Sequence, residues 1–107
     1  MTAQDFLEKC HHLTIYQKRD VDPDYAEVVF LTKDLSEWTA VFTDVFGEPL
    51  SPAGTPPTPE ITQLTKDYGG ISAAQTLYKK DFSGKIVLAM LWPWQDNAHT
   101  TLKIICL

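Results

Sequence analysis

Cysteine, glycine, basic residues and long apolar runs are all scarce in this chain. Only two of its 107 residues are cysteine, Cys10 and Cys106. Two thiols make neither a disulfide framework nor the paired spacings of a zinc ribbon or finger. The longest uninterrupted apolar run, Ile86 to Trp92, is seven residues, far short of the roughly 20 that span a membrane. The five glycines form no phosphate-cradling loop, since Gly69-Gly70 lacks a following Lys-Ser/Thr. Ser36, Ser51, Ser72 and Ser83 sit in no Gly-x-Ser-x-Gly context. Nine basic residues face fourteen acidic ones, for a net charge of −5. Phosphate backbones and anionic lipid repel such a surface, so neither nucleic acid nor membrane is an expected partner. Met1 to Asp5 contains no basic stretch leading into an apolar one, so a secretory leader is not expected and the cytoplasm is.

What is present suits one soluble domain spanning residues 1–107. Hydrophobic residues make up 44% and aromatics 11% of the chain, enough for a core without staples at this size. The charge is unevenly placed. Residues 20–60 hold nine acids and one base, Lys33, a balance of −8, and the remainder sums to +3. Either the basic elements lie beside the acidic ones within the chain, or surfaces of opposite sign favour self-association or a basic partner.

Local pattern assigns the elements. Thr2 and Asp5, followed by Phe6, Leu7, Cys10 and Leu13, predict a short N-terminal helix with a cap and an acidic first turn. Residues 13–18 continue it or form a short strand, and 20–24 read as an Asp/Pro turn. Tyr25 to Thr32 is rich in β-branched and aromatic residues and favours a strand, with a helix starting at Pro23 as its competitor. Asp34 and Glu37 resemble a capping pair, and Leu35, Trp38, Val41, Phe42, Val45 and Phe46 recur at helical spacing until Gly47-Glu48-Pro49 stops them. Each such side chain contributes about 1.5–3 kcal/mol when buried, which ties helix 35–46 to a core. Residues 47–59 contain five prolines and read as a surface loop. Thr58-Pro59 then opens a helix over 59–68. Residues 73–82, 85–92 and 100–106 have strand composition and short turns between them, which predicts antiparallel pairing. The expected fold is α+β: a mainly antiparallel sheet of about four strands against helices 35–46 and 59–68, with the N-terminal helix docked at an edge or on the far face.

Candidate sites are few. Asp20-x-Asp22-x-Asp24 opens like a calcium loop, but Tyr25 stands where glycine is required and Leu31 where a bidentate Glu is required. Cys10, His11 and His12 are consecutive, so a helix points them in different directions, and His99 is the remaining imidazole. Trp92-Pro93-Trp94-Gln95 is the most unusual stretch, because proline belongs at a strand end and the flanking indoles suit interface anchoring. Strand 86–92 is apolar on both faces, a surplus that calls for the helices on one side and the N-terminal segment, a partner or a second subunit on the other. Trp92, Trp94, Gln95, His99 and Trp38 are therefore the interface or ligand candidates, and no catalytic residue, metal or cofactor is assigned. The expected function is a non-catalytic protein-interaction domain, self-associating as a homo-oligomer. A small-ligand sensor with an aromatic pocket near Trp92, Trp94 and His99 is the alternative, and a metal- or thiol-dependent enzyme around Cys10, His11, His12 and His99 a second.

Overall fold

The computed structural model covers Met1–Leu107. Five strands, β1 (Gln17–Val21), β2 (Tyr25–Leu31), β3 (Thr76–Phe82), β4 (Lys85–Pro93) and β5 (His99–Cys106), are joined by helices α1 (Ala3–Lys9), α2 (Leu35–Phe46) and α3 (Pro59–Thr65). The strands form one sheet in the order β1-β2-β5-β4-β3, and every neighbouring pair is antiparallel. Strands from both sides of the proline-rich segment enter that sheet. The α+β class matches the sequence expectation, with five strands in place of about four.

Strand β1 is the addition. Its sequence, Gln-Lys-Arg-Asp-Val, has no apolar alternation, and its first four residues are exposed. It is held by hairpin pairing with β2 around the Asp22–Asp24 turn, where the Asp22 N–H donates to the Tyr25 carbonyl at 2.8 Å. Asp20 and Val21 therefore belong to a strand and not to the turn.

Start signals behave unequally. Thr2 and Asp5 form a reciprocal capping box at 3.0 and 2.9 Å, and Thr58 caps α3 with Pro59 behind it. Asp34 makes no side-chain cap, because a 3₁₀ turn, Thr32–Asp34, already carries the backbone into α2. That turn supplies the preceding carbonyls, and the expected Asp34–Glu37 box is not formed.

The sheet is covered on both faces. On one, Val28 and Phe30 of β2, Leu102 and Ile104 of β5, and Val87, Ala89 and Leu91 of β4 pack under α1 and α2. On the other, Leu77, Leu88, Met90 and Ile105 pack under Ile61 of α3 and Ile71, with Leu64, Tyr68 and Trp92 at the margin. The helices thus occupy layers other than those expected. Helix α1 shares the α2 layer, its Phe6 stacked on Phe42 at 5.2 Å and 5.5 Å from Phe46, and α3 takes the far face. An amphipathic stripe specifies that a helix is buried, not which side of a two-faced strand it covers. The apolar surplus of β4 is covered by the chain's own α3 and the segment that follows it.

Both sheet edges are blunted against strand addition. Edge β1 is short, charged and interrupted by a bulge between Lys18 and Asp20. Edge β3 is partly closed by the proline-rich segment: Leu77 N–H donates to the Ser51 carbonyl at 2.9 Å, and Leu50 N–H to the Leu77 carbonyl at 2.8 Å.

Candidate interaction site

Trp92 and Trp94 stand two residues apart at the end of β4 and do different work. Trp92 opposes Thr101 in the ladder and folds over the segment that follows the 3₁₀ turn Lys66–Tyr68. A Cβ placed on Gly69 would stand 2.2 Å from its ring. The Lys103 ammonium lies 3.6 Å from the Trp92 ring centroid and donates to the Tyr68 carbonyl at 3.3 Å. Burial lowers the Lys103 pKa, with Glu27 partly opposing that shift. Trp92 is therefore a clasp between the sheet and the segment behind α3. The Trp92–Pro93 bond is trans.

Trp94 belongs to a half-exposed cluster at the end of the sheet. Its backbone N–H donates to the His99 carbonyl at 2.9 Å and its indole N–H to the Thr101 hydroxyl at 2.8 Å. Its ring leans on the His99 imidazole at 4.7 Å, and the Arg19 guanidinium stands 5.5 Å above it. Tyr16, 57% exposed, meets His99 edge-on at 4.6 Å. Asp96 orders the turn: its carboxylate accepts from the Ala98 and His99 N–H groups at 2.8 and 3.1 Å and lies 2.6 Å from His99 Nδ1. These bonds, the Ala98 N–H foremost and the His99 ring next, hold the Asp96 carboxyl below its usual range. Gln95 is exposed in the same turn.

The remaining predicted residues lie elsewhere. Trp38 is fully buried and stacks on Phe30 at 4.7 Å, so it is core and has no free surface. Its spacing with Leu35 and Phe42 on the apolar stripe already carried that signal. Cys10 is buried in the α1 layer, where burial pushes its thiol up to about 12. His11 and His12 are exposed with rings 5.7 Å apart, and His99 belongs to the Trp94 cluster. No three His, Cys, Asp or Glu side chains gather where an ion could be held.

Several residues around the two indoles had no mark in the sequence. Arg19 pairs with Glu27 at 3.4 Å, and the Tyr25 hydroxyl donates to Glu27 at 2.7 Å. Tyr16 and Arg19 acquire their neighbours only because β1 is a strand. Asp96 was missed too, although an Asp in a turn is a residue type whose side chain closes its own turn, and that signal could have found it.

Most acids of the 20–60 segment are left without an ion pair. Of the nine acids in 20–60, Glu27 alone forms an ion pair. Asp20, Asp22 and Asp24 crowd one end of the β1–β2 hairpin, and Asp20, foremost, raises the Asp22 carboxyl above its usual range. Three surface cavities exist, and none is lined by Trp92, Trp94, Gln95, His99 or Trp38. One of about 550 Å³ lies between α1 and β1 over Leu7, Cys10, Leu13, Ile15 and Val21. A second, of about 740 Å³, is an open groove between the end of α1 and α2. Lys9, His12 and Leu13 line it from the end of α1 and the turn after it, and Glu37, Ala40, Val41 and Asp44 line it from α2.

Fold and surface together define an antiparallel α+β domain with no helix long and apolar enough to cross a membrane. No family model, curated protein or solved structure matches the chain.

Proposed function

We propose that the chain is a non-catalytic, cytoplasmic protein-interaction domain that associates with copies of itself. The observation that carries this reading is the unpaired charge: eight of the nine acids in 20–60 have no ion-pair partner within the chain. Every lysine except Lys103 is exposed as well and forms no ion pair, leaving both signs available to another copy. The two free thiols, Cys10 and Cys106, suit a reducing compartment. The apolar surplus of β4 adds nothing to this reading, because α3 covers it. Association of this kind is electrostatic and therefore salt-sensitive. Sedimentation velocity over a micromolar concentration series tests it. The expected result is a concentration-dependent rise in mass at about 0.02 M salt that is reversed at about 0.5 M salt, where the Debye length falls several-fold. A monomer at every concentration and both salt levels would overturn it.

One observation favours a second reading, a small-ligand sensor. The cavity of about 550 Å³ between α1 and β1 has the volume and mixed lining of a small-molecule site. It lies away from the Trp92–His99 region. Melting shifts across a panel of small amphipathic acids and amines test it, with Leu7→Trp as the blocking variant. A shift abolished by that variant supports the reading, and an unmoved melt across the panel removes it.

A further inference from the structure

We infer that the α1–α2 groove is the surface through which two copies meet, each seating the acidic ridge of its α2 in the groove of the other. The inference rests on the self-association reading and names the site. Elimination leads to it first. Edge β1 carries charge and a bulge, and Ser51 partly closes edge β3, so neither invites strand pairing. Helix α3 covers much of the far face of the sheet, and beyond it the Trp92 and Trp94 rings are already engaged by Lys103 and Arg19 of the same chain.

The groove has what those surfaces lack. Glu37, Ala40, Val41 and Asp44 stand at i, i+3, i+4 and i+7 of α2 and so form one stripe. Lys9 and His12, from the end of α1 and the turn after it, line the groove as well. The α2 side is acidic and the α1 side basic, yet no ion pair joins them. Under a two-fold axis parallel to the groove, the Glu37–Asp44 ridge of each copy falls against Lys9 and His12 of the other. Residue i then meets residue j and j meets i, as a closed dimer requires. Exposed Ala40 at the crest of the ridge permits close approach, and half-buried Val41 and Leu13 supply apolar contact beneath it.

A charge exchange tests the geometry. One variant carries Lys9→Glu and His12→Glu, the other Glu37→Lys and Asp44→Lys. All four positions are exposed, and thermal melts check that each variant folds. Each variant alone should self-associate at least about ten-fold more weakly than the wild type at low salt, because both contacts of the dimer become like-charged. Their equimolar mixture should recover association, since the acidic α1 side of the first variant then faces the basic α2 ridge of the second. Wild-type association with variants that behave like wild type, or a mixture that stays monomeric, overturns the groove and leaves self-association standing. A wild type that never associates overturns both.

Discussion

Replacing Gly69 with alanine probes the clasp that closes the far face of the sheet. Gly69 has φ +98°, a conformation costing an L-residue about 1 kcal/mol. Its added methyl would also stand 2.2 and 2.9 Å from two ring atoms of Trp92, so the indole must move. Moving it weakens the Lys103 cation–π contact, about 0.5–2 kcal/mol, and uncovers a few tens of Å² of apolar surface, about 1 kcal/mol. The expected total is about 2.5–4 kcal/mol. Gly70 is the matched control, because its φ is +75° and a Cβ there meets nothing within 4 Å. Gly70→Ala should therefore cost about 1 kcal/mol, the backbone strain alone. Urea unfolding followed by far-ultraviolet circular dichroism and by tryptophan fluorescence measures both. Equal losses for the two variants would refute the packing of Trp92 against this turn.

The remaining predictions rest on single contacts. The β3–β4 hairpin turns through Ser83 and Gly84, both at positive φ; Ser83→Asn suits that conformation better and should stabilise by about 0.5–1 kcal/mol, read by urea midpoint. Asp5 and Asp96 have folded pKa values below their ordinary value of 3.8. Their stabilisation is complete above that value and is lost as pH falls through it toward the lower folded value, so the melting temperature should drop below about pH 4 and drop less in Asp96→Asn. Asp22 has the opposite sign: its raised pKa means that ionisation near Asp20 and Asp24 opposes folding, so Asp22→Asn should raise the melting temperature at about pH 7 and not at about pH 3. Native thiol labelling should modify half-buried Cys106 well before buried Cys10, whose thiol stays protonated near neutral pH; equal rates would contradict the burial of α1.

Legibility followed the physics of each element. Helix 35–46 was readable to the residue because six large apolar side chains share one face and Gly47 ends it. The central strands were readable from β-branched and aromatic density. Strand β1 was not, because an exposed edge strand has no buried face to impose alternation on Gln17–Val21. The assignment of α1 and α3 to opposite layers was hidden for a related reason. Strand β4 is apolar on both sides, and nothing local distinguishes the side that α1 covers. At the candidate surface, the turn from Trp92 to His99 was legible as unusual chemistry, but the partition of its two indoles was not. That partition depends on Gly69, Lys103 and Arg19, residues brought to the indoles by the fold and not by a local motif. The groove between α1 and α2 was invisible for the same reason, as its lining residues, in 9–13 and 37–44, come from separate segments.

The apolar faces of the sheet are satisfied within the chain, and copies are proposed to meet through the charged α1–α2 groove. Hydrogen–deuterium exchange at low salt, compared between a concentration that favours association and one that favours the monomer, tests this most directly. Added protection should appear in residues 9–13 and 35–44 and be absent from 86–103. Protection gained in 86–103, with the helical segments unchanged, would contradict it.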